Sequence, residues 1–252
     1  FWCNKDVFLE LDIGLGSSPI DDLAEYTRLT VLSLHSGAPM THHVFSVLPK
    51  LPNLTDLSLY CYSWDESIQS MEPIILPLRK LRVDTKEDMS EMPIRAYDLE
   101  ELRCPRWTIY GPSAAEETLD YLSHLTRLQH LEVPHVFYRF PELQDRLVGM
   151  LPNFPDLRVF ASYYNALLSS IIPQLPLTHL YLYHRSGEDR LAGPCSQFRS
   201  PCLKRLKHFQ VKLTEMSQTD SLKEWNNCRK SQTLESLAIL PFSRLKIGRA
   251  HV

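Results

Sequence analysis

The sequence predicts an α/β chain wound as a solenoid: a horseshoe with a parallel concave sheet, and short helices or irregular returns on its convex face. Three observations carry that expectation. The frame Leu-x-x-Leu-x-Leu, complete in Leu54-Thr-Asp-Leu57-Ser-Leu59, recurs with first positions at 8, 29, 54, 78, 99, 128, 157, 177, 206 and 234. Its steps run from 20 to 29 residues, the period of a stacked repeat in which each unit buries its apolar edge against its neighbours. The fourth and sixth positions alternate with polar residues, as a strand with one buried face requires. Finally, prolines (Pro52, Pro77, Pro152 with Pro155, Pro176) stand just ahead of the strands, where proline ends a helix and biases its predecessor to extended geometry.

In order, the strand cores are Phe8/Leu11/Ile13, Leu29/Leu32/Leu34, Leu54/Leu57/Leu59, Leu78/Leu81/Val83, Leu99/Leu102/Cys104, Leu128/Leu131/Val133, Leu157/Phe160, Leu177/Leu180/Leu182, Leu206/Phe209/Val211 and Leu234/Leu237/Ile239. Two break the pattern. Ser162 stands where an apolar residue is expected, and Cys104 serves there as a small hydrophobe. Between strands the chain must return. Ile20–Tyr26 reads as a short helix with acidic residues at its positive end. Thr41–Leu48 and Asp65–Met71 are two more short helices, closed by Pro49 and Pro73. Ser113-x-x-Glu116 reads as a capping box that opens an apolar stripe of Ala115, Leu119 and Leu122. Pro141–Leu151 repeats the scheme with Leu143, Leu147 and Met150, Ala166–Ile172 does so more briefly, and Ser221-x-x-Glu224 opens a last helix with Leu222 and Trp225. Arg185–Pro201, with two glycines and two prolines, reads as an extended loop.

One solenoid of about ten irregular repeats is therefore expected over residues 1–245. The chain opens on Phe1-Trp2-Cys3 without the pattern of a signal peptide. Residues 246–252 (KIGRAHV) read like a translated sequencing adapter, and are expected to be a non-native tail on a fragment of a longer protein. A formal charge of −3 lacks the electrostatic footprint of a nucleic-acid binder. No apolar run approaches the roughly 18 residues that span a bilayer, so no membrane partner is expected. Six cysteines without a C-x-x-C pair favour a reducing compartment, cytoplasmic or nuclear. Asn53-Leu-Thr55 matches a glycosylation sequon, and is also what the entrance to a strand spells here.

Ten histidines invite a search for metal or catalysis. His42 and His43 are neighbours on a predicted helix, so their side chains diverge by about 100°. No zinc-protease, nucleophile-elbow, P-loop or dinucleotide motif is present. The expectation is a non-enzyme without metal or cofactor. The third, fifth and often seventh positions of each strand point away from the core. Two clusters emerge from those columns: Lys80, Arg82 and Arg103 as a small basic patch, and Tyr163, Tyr181, Tyr183, His179 and His208 as an aromatic patch on three adjacent strands. Exposed tyrosines either anchor a partner, offering large area at little rotamer cost, or stack on one another along the solenoid. The partner-binding residues predicted on the concave face are these eight.

The Leu-Pro-x-Leu-x-x-Leu-x-Leu units with helical returns resemble the leucine-rich repeat region of F-box proteins, in which a substrate-binding solenoid follows an adaptor-binding F-box. The resemblance implies substrate recognition for a ubiquitin ligase. It implies a cullin-type adaptor as partner only if an F-box lies outside these residues. The asparagine or cysteine usual three residues after the sixth position is present only as Asn165, so the regular buried amide ladder of the family is not expected. The alternative expectation is the sensing or autoinhibitory repeat region of a nucleotide-binding immune-type receptor.

Overall fold

The structure, a computed structural model, describes residues 10–15, 20–68, 70–85, 92–106, 109, 111–133, 140–163, 167–185, 206–214 and 236–241. Its strands are β1 (Glu10–Leu15), β2 (Val31–Ser36), β3 (Asp56–Cys61), β4 (Ile74–Ile75), β5 (Lys80–Asp84), β6 (Ile94–Arg95), β7 (Glu101–Arg103), β8 (His130–Glu132), β9 (Val159–Tyr163), β10 (His179–Arg185), β11 (His208–Thr214) and β12 (Ser236–Pro241). The architecture is α/β. Ten strands form one parallel, unclosed sheet in chain order, and β4 and β6 pair in a separate two-stranded parallel sheet.

Register follows the repeat frame. Val31, Asp56, Lys80, Glu101, His130, Val159, His179, His208 and Ser236 stand opposite one another from strand to strand. A backbone device pins this alignment at each strand entrance. The carbonyl at the second position of a repeat accepts two N–H groups from the next: Thr30 O from Thr55 and Asp56, Thr55 O from Arg79 and Lys80, and onward through Arg79, Glu100, Gln129, Arg158 and Thr178, all at 2.7–3.1 Å. Each entering strand thus leaves few orphan donors. From Leu29 to Phe209 the described side chains at first, fourth and sixth positions are no more than 1% exposed. Burying one such leucine contributes about 1.5–3 kcal/mol, so a one-residue slip would lose the whole row.

The returns are shorter and tighter than the sequence suggests. Ile20–Glu25 and Glu66–Ile68 are 3-10 turns. The α-helices are α1 (His42–Val47), α2 (Pro112–Ser123), α3 (Pro141–Met150) and α4 (Leu168–Ile171). Pro49, Pro152 and Pro173 do not cut the chain. Each sits in the first turn of a 3-10 segment that continues α1, α3 or α4, where its missing N–H costs nothing. The expected capping box fails. Helix α2 starts at Pro112 with Gly111 as its N-cap and no side-chain cap, so Ser113 lies inside the first turn, and proline supplies the helix start instead. The stripe of Ala115, Leu119 and Leu122 is buried as expected. No helix among the described residues is long and apolar enough to cross a membrane. The expected helix at Ser221, nearly all of the Arg185–Pro201 loop, Asn165 and the 246–252 tail lie outside the described residues.

Ser162 resolves the break in the β9 pattern. It is fully buried, and the Gln144 side chain from α3, also buried, donates to its hydroxyl at 3.0 Å. The same amide reaches the carbonyl of Tyr163 at 3.4 Å. Cys104 is buried with a free thiol, and desolvation pushes its pKa upward.

Candidate functional site

The open face of the sheet carries the third, fifth and seventh positions. Adjacent strands lie about 4.8 Å apart, so side chains in one column meet ring to ring and charge to charge. Lys80 and Arg82 on β5 stand beside Glu101 and Arg103 on β7, which brings the three predicted cations together. Carboxylates interleave them. Lys80 Nζ lies 3.0 Å from Asp56 Oδ1, and this hydrogen bond, reinforced by the charge, holds the ammonium pKa above its usual value. Thr55 Oγ1 donates to the other Asp56 oxygen at 2.7 Å. Arg103 Nε lies 2.5 Å from Glu101 Oε1 but off the N–H axis, an ion pair without a hydrogen bond. The Arg82 guanidinium sits 5.3 Å from the centroid of the Tyr60 ring, which itself stacks on His35 at 4.3 Å. Arg82 Nε is buried without a hydrogen-bond acceptor among the described residues. With Asp56, Asp84, Glu101 and Glu132 in the same columns, the stripe has alternating charge, not a net basic field.

The five predicted aromatic residues come together on β9, β10 and β11. His179 and His208 stack at 4.3 Å, with planes 24° apart. His179 also lies 6.5 Å from the Tyr181 ring. Tyr163 and Tyr183, opposite one another in the ladder, meet edge to face at 6.3 Å. Thr178 Oγ1 is 2.8 Å from His179 Nδ1. Burial pushes the Tyr183 hydroxyl pKa up. All five side chains are half-buried, held by their neighbours in the ladder.

The two clusters meet at β8 and β9, through residues the sequence columns contain but do not distinguish. Glu132 lies between Arg103 and Ala161 in the fifth-position row. Burial raises its carboxyl pKa, opposed by Arg103 and Arg82. His130 has its pKa pushed down to about 4, by burial first and Arg103 second. It is neutral at pH 7, so its 3.9 Å approach to Glu132 is not an ion pair. Ala161, expected on the open face, is only 2% exposed, with the larger side chains Glu132 and Tyr181 opposite it in register on the flanking strands. Alternation gives the direction of these side chains but not how far the neighbours cover them. Among the described residues no cluster of three or more histidine, cysteine or acidic side chains could hold a metal ion.

No family model matches the chain, and no curated protein matches it.

Proposed function

We propose that this chain is a leucine-rich-repeat solenoid that binds a protein partner on the concave face of its sheet, without catalysis of its own, as the substrate-recognition part of an F-box-type ubiquitin ligase. The observation that carries the binding role is the aromatic cluster of two in-register pairs, Tyr163 with Tyr183 and His179 with His208, and Tyr181 between them on β10. Rings already packed against their ladder neighbours give up little rotamer freedom when a partner covers them, which suits them as anchors. The ligase role rests on the repeat resemblance, and the binding role does not depend on it.

Tyr181 sits at the centre of the row, so Tyr181→Ala should weaken partner binding by about 2 kcal/mol or more. Arg82→Ala, several strands away, should chiefly alter association rate and salt dependence. Wild type and both variants, each first shown to melt alike, would be used to capture proteins from lysate. If wild type and Tyr181→Ala recover the same proteins at equal strength, the row is stacking surface and the proposal fails. Depletion of the chain in cells should lengthen the half-life of a captured protein, and an unchanged half-life would reject the ligase role alone.

A further inference from the structure

The open face over β2, β3 and β5 carries donors that the sheet itself leaves without acceptors. Ser33, Ser58 and Arg82 stand opposite one another in register at the fifth position, each half-buried. Neither hydroxyl nor the guanidinium has a hydrogen-bond acceptor among the described residues. Adjacent strands lie about 4.8 Å apart, so the Ser58 hydroxyl and the Arg82 side chain border one space. Tyr60 closes one side of it. Arg82 sits 5.3 Å from the centroid of that ring, which is fixed in turn by its stack on His35 at 4.3 Å. Of the Arg82 nitrogens only Nε is covered, so the terminal N–H groups stay open to the face.

Every carboxylate close to Arg82 answers another group. Asp56 meets Lys80 and Thr55, Asp84 meets Arg106, and Glu101 meets Arg103. Glu132, the next in the row, stands beyond Arg103, two strand spacings or about 10 Å from Arg82. Arg82 is thus the cation of this stripe without a counter-ion among the described residues, and a partly desolvated charge gains most from a partner that supplies one. The seat suits one negative charge and not several. Asp56, Asp84 and Glu101 flank it two residues off in register, and would repel a phosphate dianion or a run of acidic residues. A single carboxylate fits: one side can accept from the planar guanidinium fork while a second lone pair accepts from the Ser58 hydroxyl.

We propose that this seat receives one aspartate or glutamate side chain of the protein partner, from a segment lying extended across the strands. The rings of β9 begin three strand spacings from β5, about 14 Å, which roughly four or five extended residues cover. A segment that runs on from the seat to Tyr163 and Tyr183 carries its carboxylate as a side chain. This inference deepens the sheet-face reading and rests on it, but the titration below reads the seat without Tyr181 or a captured protein, so the two fail separately.

The test is NMR of the full chain, following the arginine Nε–Hε resonances, with the Arg82 signal assigned by its loss in Arg82→Lys. The probes are the blocked tripeptides acetyl-Gly-Glu-Gly-amide and acetyl-Gly-Gln-Gly-amide, a phosphoserine tripeptide blocked in the same way, and acetyl-triglycine with a free carboxyl end. The glutamate peptide should shift the Arg82 signal saturably and bind about tenfold more tightly than the glutamine peptide. Ser58→Ala, which removes an open-face hydroxyl and leaves the core untouched, should weaken it by about threefold. The signal of Arg158, an exposed arginine away from the seat, should not move. Equal binding of the glutamate and glutamine peptides would overturn the proposal, and so would full affinity in Ser58→Ala. An equal shift at Arg158 would also overturn it, since that means diffuse attraction instead of a site. Tighter binding of the phosphoserine peptide or of acetyl-triglycine would overturn the choice of an acidic side chain as occupant.

Discussion

Replacing Gln144 by leucine should destabilise the protein although it puts an apolar residue into an apolar layer. Gln144 is 6% exposed and Ser162 fully buried, and the 3.0 Å bond between them lies inside the core. Leucine has about the volume of glutamine, so the cavity contribution is small. The loss comes from leaving the Ser162 hydroxyl dry and without its donor, about 1–3 kcal/mol. Ser162→Ala should cost about 1 kcal/mol, since the amide then retains only its 3.4 Å contact with Tyr163 O. The double variant removes both polar groups, and should fall short of the sum of the singles by about 1 kcal/mol or more. Urea unfolding followed by circular dichroism gives all three values, with the slopes compared to check that the same surface is exposed. Strict additivity, or a Gln144→Leu variant as stable as wild type, would refute the idea that this amide makes a serine tolerable at the sixth position of β9. The Gln144 amide also holds the backbone of Tyr163, so loss of the pair should weaken the edge-to-face contact with Tyr183.

Two further predictions concern the sheet. Leu57 is 1% exposed between neighbouring repeats, and Leu57→Ala should cost roughly 2–5 kcal/mol in the same unfolding assay, while Ser58→Ala on the open face should stay within about 0.5 kcal/mol. Stability should also fall as pH drops from 6.5 towards 4. His130 is held neutral in the native state down to about 4, so across that window the unfolded chain binds a proton that the native chain does not. The full difference corresponds to roughly 3 kcal/mol. Glu132, whose native pKa is raised, works in the opposite sense just above 4.5, and His130→Gln should flatten the slope measured by melting at a series of pH values.

The repeat frame was legible because one physical constraint wrote it ten times. Leucine at the first and fourth positions must be dry, and a period of two then gives the facing of every strand residue. The returns were read less well, because their only task is to cover the core and several conformations do so. Two of the three 29-residue steps carry α2 and α3, while the 21-residue step from Leu78 to Leu99 carries the short strand β6 and no α-helix among its described residues. A serine-to-glutamate spacing at Ser113 suggested a cap, but Pro112 decided the helix start. The partner of Ser162 was invisible for another reason. Gln144 lies 18 residues away in sequence on a helix whose other inward positions are apolar, and only the packing of α3 on β9 brings the amide to the hydroxyl.

The same limit explains why the candidate face seemed to hold two separate patches. Columns taken from a sequence list neighbours without their charges' partners. In the folded sheet Lys80 answers Asp56 and Arg103 lies against Glu101, so little unbalanced positive charge remains to draw a partner from a distance. Arg82 stays as the exception, over Tyr60 and with its buried Nε lacking an acceptor among the described residues. At the other end, stacked rings offer area with little ordering cost. Between them His130 and Glu132 are each disfavoured in their charged forms by burial, and this junction would be drier still beneath a bound protein. A partner spanning both halves would therefore gain most from covering the tyrosines and from offering one acceptor to Arg82, and would gain little from its net charge. That division predicts weak salt dependence of the equilibrium affinity for a partner seated on the rings alone. A steep dependence would place the contact on the Lys80–Arg103 half.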